Sequence, residues 1–550
     1  MRCGMPPDMN ASASFARWRG RLIGSMGLHR TGTGRRAPGV REVSAAMIVS
    51  ILIALSVYHP YPYDNVVTRW ALAERLASSG SIAIDPYADL TSDKAEHAGR
   101  FYSDKSFLPS AAAAFAYLPF EALGLSADAD SYPFGGAPRY IAERLTVSLA
   151  LLGVLLLLKR RCAREDVDPV IPVLAAGLGS IMLPYSTLLY THVPAAMLIF
   201  TSWTAQEEER WLASDILGAL AVAWEYTLLL PYLVLLLYRG RLFWRPGPMA
   251  RSIGILALAL LPQMAHNWAA FGSPFTMGYA MEVEEAFAVS SRGFFGFTYP
   301  SPQRLYALLL SPERGLLFYM PWAALGLWGL LQGSNLRERL SRDPLPALAA
   351  VYIMLYASQN AVAAGWAFGQ RYLIAILPFL AVGLGRFAGR SRVRAMAAST
   401  AVLPGMLQAL LGTFGEVHLP THTPFLPVPL PQVNISLRML LDGHHSIWLG
   451  GTVITVLLAS CALALWAFSL RRGRFRSAAL LWLPPWLLLA ALSAGRDWGG
   501  KVDYYRGVLA EHRAEWHLAA EYYGAALEDP TAPDVVRVSY RRALRRAAGQ

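Results

Sequence analysis

The sequence predicts an all-α, polytopic membrane protein with about 13 transmembrane helices. Of its 550 residues, 55% are hydrophobic and 16% are charged, whereas soluble domains carry about 25% charged residues. Apolar runs such as 145–158 and 447–470 approach or exceed the roughly 20 residues that cross about 30 Å of hydrocarbon. A soluble protein of this length has no need for repeated apolar runs that end in arginine clusters.

The basic residues are concentrated in short clusters between the apolar runs, and they account for the net charge of +12. Short cytoplasmic loops of membrane proteins carry such an excess of Lys and Arg. No segment shows the basic stripe with base-reading residues that a nucleic-acid-binding domain requires. The clusters are Lys159, Arg160, Arg161 and Arg164; Arg239, Arg241 and Arg245; Arg337, Arg339 and Arg342; Arg386, Arg390, Arg392 and Arg394; and Arg471, Arg472, Arg474 and Arg476.

Placing these clusters inside divides the chain into four parts. The first part is a basic cytoplasmic tail that we expect to be disordered, or an extension upstream of a native start at Met26 or Met47. The last part is polar and has the helical spacing of one tetratricopeptide-like hairpin outside the membrane, too short to stack as a solenoid. The parts are 1–44 (tail), 45–390 (main transmembrane module with a first outer loop at 60–138), 391–500 (C-terminal spans) and 501–550 (helical hairpin).

Within this arrangement, three segments have specific predictions. Residues 66–79 form a helical pattern that ends at Gly80, and 107–125 form a helix that lies in the outer interface rather than crossing. If 107–125 crossed, the cluster that begins at Lys159 would lie outside. Residues 212–238 must begin and end inside, so we expect two short spans broken near Glu225.

Charged and polar groups near the membrane are costly and therefore indicate function. Asp64 directly follows the first span, and the alternative for it is an N-cap of the following helix. Arg69 lies about one and a half turns later and could instead contact a lipid headgroup. Asp104 and Lys105 precede the interfacial helix, where a solvated ion pair is the alternative. Other charges of this loop, among them Asp93, are expected to be surface charges.

Three further candidates lie at the outer ends of later spans. His192 begins a span in Tyr-Thr-His-Val-Pro, and the alternative for a lone histidine there is a structural role. His266 precedes a loop rich in Gly and Pro, which demand a shaped turn. Arg371 lies in Gly-Gln-Arg-Tyr, where an arginine that snorkels to the interface is the alternative.

This constellation resembles the membrane glycosyltransferases of the GT-C fold. They include protein O-mannosyltransferases, the lipid A aminoarabinose transferase and the bacterial family 39 or RgtA/B/C/D-like group. The resemblance is carried by Asp64 and Arg69 after the first span and by the Asp104–Lys105 pair before an interfacial helix. The stretches 271–279, 311–319 and 369–372 are also similar, and the likeness covers about 45–390 in order and sidedness.

The resemblance implies that a sugar passes from a polyprenyl-phosphate donor to a lipid, glycan or protein acceptor. The reaction would take place at the extracytoplasmic face of the plasma membrane, with inversion. Asp64 would act as general base, and Arg69 and Lys105 would hold the donor phosphate. His192, His266 and Arg371 would contact substrate. A divalent metal ion is the one cofactor it allows, with Asp104 as a weak candidate ligand.

The sequence departs from the family at two positions. Asn65 stands where many relatives have a second acid beside Asp64, and His192 stands where some relatives carry an acid. Two other functions are alternatives to the glycosyltransferase. A transporter or lipid flippase for a glycolipid or another envelope precursor would show inverted repeats and polar groups near the midplane, and the sequence shows no internal repeat. A non-catalytic assembly factor would recruit a partner through 501–550.

The sidedness is tested with reporter fusions. Fusions after Arg164 and Arg394 should report a cytoplasmic location, because both follow basic clusters, and fusions at Gly415 and Gln550 should report an external one. A cytoplasmic reporter at Gln550 would contradict the crossing number and the one-sided site.

Overall fold

The structure is a computed structural model that describes most of the chain up to Phe414 and parts of its C-terminal region. The described residues are 40–57, 64–125, 137–240, 244–283, 296–311, 314–332, 336–360, 367–414, 417, 503–504, 506–507, 510–511, 515–528 and 534–549. The predicted tail up to residue 39 and the last two predicted spans lie outside the described residues.

The first half of the chain folds into helices that surround one small hairpin. Helix α1 precedes the first outer loop, helices α2 and α3 lie within that loop, and α4 continues into α5 through a π turn at Arg144–Ser148. The helices are α1 (Val40–Ser56), α2 (Asp64–Ser79), α3 (Phe107–Ala122), α4 (Ala137–Glu143), α5 (Leu149–Arg164), α6 (Val170–Gly177), α7 (Met182–Tyr185), α8 (His192–Glu207), α9 (Trp211–Trp224), α10 (Leu229–Leu237) and α11 (Pro246–Phe271).

The described second half of the chain is also helical, and two further helices pack against each other near the C-terminus. A 3-10 turn at Arg371–Ile376 leads directly into α17. The helices are α12 (Pro302–Leu309), α13 (Leu316–Tyr319), α14 (Trp322–Leu331), α15 (Leu336–Arg342), α16 (Pro344–Ala357), α17 (Leu377–Ala388), α18 (Arg392–Phe414), α19 (Trp516–Ala526) and α20 (Asp534–Ala547).

Among the described residues, three helical segments are long and apolar enough to cross a membrane: Pro138–Arg164, Pro246–Phe271 and Arg371–Ala388. Shorter apolar helices accompany them. Little of the second segment is buried by protein, as expected for a helix whose side chains face lipid. These helices agree with a membrane protein, while the number of about 13 crossings stays a prediction.

The prediction of an all-α chain is wrong in one place. Strands β1 (Ala95–His97) and β2 (Arg100–Tyr102) form an antiparallel hairpin in the first outer loop. Ala98 and Gly99, the two residues between them, both have positive φ, as two-residue hairpin turns require. Strands of three residues are too short to show an alternating pattern in the sequence.

The apolar stretch 169–185 does not form one continuous helix, because the structure interrupts it after Gly177. Helix α18 packs so closely here that a side chain at Gly405 would meet the carbonyl of Gly179. The indole N–H of Trp322 donates to that same carbonyl at 2.6 Å. The tertiary contacts therefore satisfy the backbone that the break leaves without helical partners.

Helices α14 and α17 approach each other through glycines. A Cβ added at Gly326 would meet the carbonyl of Leu380, and one added at Gly329 would meet the carbonyl of Gly383. Small residues allow the backbones of membrane helices to approach this closely.

Replacement of Gly329 by alanine is expected to destabilise the protein by about 1–3 kcal/mol, because the added methyl group overpacks this contact. Gly254→Ala on α11 is the matched control, since a Cβ there meets nothing within 4 Å. The control should be neutral or slightly stabilising. Thermal denaturation of the detergent-solubilised variants measures both effects, and equal melting temperatures would contradict the close packing.

Candidate functional site

The structure gathers six of the seven predicted site residues into one electrostatic neighbourhood. Five of the six interact electrostatically with another member of the group. The sixth, Asp64, interacts with Asp93, which also acts on Asp104, Lys105 and Arg371. The six residues are Asp64, Arg69, Asp104, Lys105, His192 and Arg371. They come from α2, from the loop after β2, from the start of α8 and from the 3-10 turn before α17.

Asp64 is the first residue of α2, but its carboxylate is held by the loop that follows. The Oδ1 atom accepts a hydrogen bond from the N–H of Ser92 at 2.9 Å, and the hydroxyl of Thr91 donates to the Asp64 carbonyl at 3.0 Å. Among the described contacts, no N–H of its own helix donates to the side chain, so the geometry does not support the N-cap alternative. Burial and the nearby charge of Asp93 raise the pKa of Asp64 above its ordinary value, which makes its carboxylate a stronger base.

Lys105 lies between two carboxylates. Its buried Nζ atom contacts Asp93 Oδ2 at 3.0 Å and also pairs with Asp104 Oδ2. The ammonium lies 5.0 Å from the ring centroid of Tyr279. Burial alone would lower the pKa of Lys105, but the carboxylates of Asp104 and Asp93 overcome that effect and raise the pKa well above its ordinary value. Asp93 is therefore a buried ion-pair partner, and the expectation that it is a surface charge was wrong.

Glu282 is a further member of the site that sequence reasoning missed. Its segment pairs with β1 through a hydrogen bond from the N–H of Glu96 to the Met281 carbonyl at 3.0 Å. Gly278 lies against the backbone of Asp104, where a side chain would collide. Burial and the Asp104 carboxylate raise the pKa of Glu282 to about 9. At neutral pH Glu282 is therefore protonated and can donate a hydrogen bond to Asp104.

Arg69 and Arg371 are buried cations that are held by neutral oxygen atoms. Arg69 donates from Nη1 to the Asn65 carbonyl at 2.6 Å and also to the Asn65 side chain. Arg371 donates from Nη1 to the Tyr190 hydroxyl at 3.1 Å and lies over the rings of Tyr190 and Tyr372. Within the described part of the chain, neither arginine forms an ion pair with a carboxylate, and neither Nε atom has a hydrogen-bond partner. Two such guanidinium groups are suited to bind an anion.

His192 is tied to Glu225, which lies at the break between α9 and α10. The prediction of a break near Glu225 is confirmed, since α9 ends at Trp224 and α10 begins at Leu229. The Nδ1 atom of His192 lies 3.0 Å from Glu225 Oε2. The imidazole stacks on the ring of Tyr190, with centroids 5.9 Å apart and an interplanar angle of 17°.

His266, the seventh candidate, lies apart from these charges. Its ring packs against Phe107, with centroids 5.1 Å apart, and meets the edge of Phe271. The neighbouring Gln263 accepts from the N–H of Phe107 at 2.7 Å, so this face of α11 holds the start of α3. Among the described residues, no charged group acts on His266 and neither ring nitrogen has a hydrogen-bond partner, so its contact with substrate stays a prediction.

The described residues contain no group of three or more His, Cys, Asp or Glu side chains that could share a metal ion. Asp104, the weak candidate ligand, directs one carboxylate oxygen at Lys105. The ammonium of Lys105 thus provides the positive charge that compensates these carboxylates.

No protein-family model matches the chain, and no curated protein matches it. The solved structures similar to it include two of ArnT from Cupriavidus metallidurans. The structure bound to undecaprenyl phosphate is 14% identical, with a TM-score of 0.44 over 88% of this chain and 80% of that chain. The apo structure is 14% identical, with a TM-score of 0.45 over 86% of this chain and 80% of that chain. Likenesses this remote establish neither family nor activity, so the residues of the site itself must carry the function.

The protonation of Glu282 predicts a pH-dependent stability difference. The unfolded chain releases this proton near the ordinary pKa of 4.5, whereas the folded chain keeps it up to about 9. Stability is therefore lost as the pH rises between these values, and Glu282→Gln should remove the loss. The melting temperature of Glu282→Gln minus that of the wild type should increase from pH 5 to pH 9 and then level off.

The control is Glu96→Gln on the neighbouring strand, where the side chain is exposed to solvent. This variant should differ from the wild type by the same small amount at every pH. A difference for Glu282→Gln that does not change with pH would show that the carboxyl group is ionised throughout.

Proposed function

We propose that the protein is a membrane glycosyltransferase of the GT-C type. It transfers a sugar from a polyprenyl-phosphate donor to a lipid, glycan or protein acceptor at the extracytoplasmic face of the plasma membrane. One observation carries the proposal. Asp64, a carboxylate of raised pKa, shares a site with Arg69 and Arg371, two buried arginines that have no acidic partner among the described residues. Such a site offers a base and an anion-binding pair in one place.

The anion-binding pair is assigned to the donor phosphate. Sugar transfer leaves charge on the phosphate oxygen when the bond to the anomeric carbon breaks. Fixed cations in a site of low dielectric stabilise that charge without reorganisation. Arg69 and Arg371 are suited to this role because their guanidinium groups are fixed by Asn65 and Tyr190 and still have N–H groups to donate.

Asp64 is assigned to the acceptor. Its carboxylate takes the proton of the acceptor hydroxyl while the oxygen forms a bond to the anomeric carbon. The bond from that carbon to the phosphate oxygen breaks in the same step, and its electron pair leaves with the phosphate. The neighbouring carboxylate of Asp93 supports this role, because it raises the pKa of Asp64.

Lys105 has a supporting part in this proposal. Its ammonium is engaged by Asp93 and Asp104, so it holds the loop that positions Asp64 and need not contact the phosphate itself. The phosphate role expected for Lys105 from the sequence thus passes to Arg371, which joins Arg69.

The proposal is tested by transfer from undecaprenyl phosphate carrying glucose, mannose, galactose or arabinose to endogenous acceptors in membrane vesicles from cells that produce the protein. Asp64→Asn should reduce transfer by roughly 10²–10⁴-fold, the usual worth of a positioned base. Its thermal stability should hardly change, because the amide oxygen of asparagine can still accept from the N–H of Ser92. Binding of undecaprenyl phosphate itself should also be kept. Arg371→Gln should instead weaken that binding.

The matched control is Asp85→Asn, which removes another acid of the same loop. Asp85 pairs with Arg100 at 3.0 Å, and both side chains are largely exposed, so transfer should be unchanged. Normal transfer by a well-folded Asp64→Asn protein would remove Asp64 from the mechanism. Absence of transfer from every donor by the wild type would count against the activity.

A further inference from the structure

Glu225 is the most heavily hydrogen-bonded carboxylate of this neighbourhood. Its Oε2 atom accepts from the Thr191 hydroxyl at 3.2 Å and lies 3.0 Å from His192 Nδ1. Its Oε1 atom accepts from Thr227 at 3.2 Å, from Tyr352 at 3.2 Å and from Tyr356 at 3.3 Å. A buried carboxylate with this many donors remains ionised.

An ionised Glu225 fixes the orientation and the tautomer of His192. Because the carboxylate can only accept, the Nδ1 atom of a neutral imidazole must carry the proton, and Nε2 then presents a lone pair. The described hydrogen bond of His192 is made at Nδ1, and none from a described residue reaches Nε2. The chain therefore prepares a hydrogen-bond acceptor and leaves it for a ligand.

This acceptor lies one aromatic ring away from the proposed phosphate site. Tyr190 stacks on His192 on one side and accepts the hydrogen bond from Arg371 on the other. Tyr372, the residue after Arg371, meets His192 edge to face at 6.4 Å. Aromatic walls with a few fixed polar groups are typical of small-ligand pockets.

We infer that His192 Nε2 accepts a hydrogen bond from an uncharged hydroxyl group of the donor sugar, and that Glu225 is the positioning residue for His192. The inference rests on the proposed function and extends it to sugar recognition.

The experiment compares the affinity of the protein for bare undecaprenyl phosphate with its affinity for the same lipid carrying glucose, mannose, galactose or arabinose. The ratio of the two dissociation constants measures recognition of the sugar separately from recognition of the phosphate. His192→Asn is the informative variant, because the asparagine amide can replace Nδ1 toward Glu225 while Nε2 is lost. It should reduce the preference for the best sugar-bearing lipid by about 3- to 10-fold, the worth of one hydrogen bond, and leave the bare lipid unaffected.

Glu225→Gln should reduce the same ratio, because glutamine no longer dictates which imidazole nitrogen carries the proton. If Glu225 acts through His192, the double variant should be no worse than His192→Asn alone. Thr227→Val is the control: it removes one donor to Glu225 without touching His192. It should lower the melting temperature slightly and keep the ratio.

The outcomes separate this inference from the proposed function. An unchanged ratio in a folded His192→Asn protein overturns sugar recognition by His192, even if Asp64→Asn abolishes transfer. Equal affinity of the wild type for the bare and every sugar-bearing lipid also overturns it. Additive losses in the double variant, or the same loss in Thr227→Val, overturn the positioning role of Glu225. Loss of transfer in Asp64→Asn with an unchanged ratio is the expected result for a base that does not bind the donor.

Discussion

The burial of the Lys105 ammonium between Asp93 and Asp104 is the interaction on which the site depends. It fixes the loop that precedes β1, which contains Asp93, against the loop that follows β2. Asp93 is adjacent to Ser92, whose N–H holds the carboxylate of Asp64. Removing one member of a buried ion pair leaves an uncompensated charge and costs about 3–5 kcal/mol. The position of the proposed base is therefore set by the ion pairs of Lys105 with Asp93 and Asp104, and the carboxylate of Asp93 also acts directly on Asp64.

The same ion pairs explain why Lys105 has a different role from Arg69 and Arg371. Lys105 has two carboxylates and is electrostatically satisfied, whereas Arg69 and Arg371 are anchored only by neutral oxygens. A planar guanidinium keeps several N–H groups in fixed directions even when one is already engaged, and it stays charged when buried. The arginines can therefore be held in place and still bind an anion. The three donors of a lysine ammonium share one nitrogen, so a lysine in either position would lack the planar pair of N–H groups that matches a phosphate.

The sequence was informative where the physics is local and much less so where it is tertiary. The cost of charge near hydrocarbon singled out Asp64 and Arg371, and the length of an apolar run that must begin and end inside located the break at Glu225. Asp93 and Glu282 were missed because acids in polar loops look like surface charge until the chain is folded. Their burial depends on the short pairing of 281–283 with β1 and on Gly278, which lets that segment reach Asp104. Hydrophobic periodicity in the sequence does not predict such tertiary contacts.

Irregular backbone in this bundle is found where the proposed donor site lies, and this location has a physical reason. Hydrocarbon offers no partner for a free carbonyl, so breaks are tolerated only where protein groups satisfy them. The π turn at Arg144–Ser148 is such a place, since Arg144 donates to the carbonyls of Ala54 and Thr187. The stretch that follows Thr187 carries Tyr190, whose hydroxyl accepts from Arg371 and whose ring stacks on His192 at the start of α8. The non-helical stretch thus allows Tyr190 to contact both Arg371 and His192. Because protein groups satisfy the carbonyls that these breaks free, a bundle of apolar helices can hold polar side chains in one place.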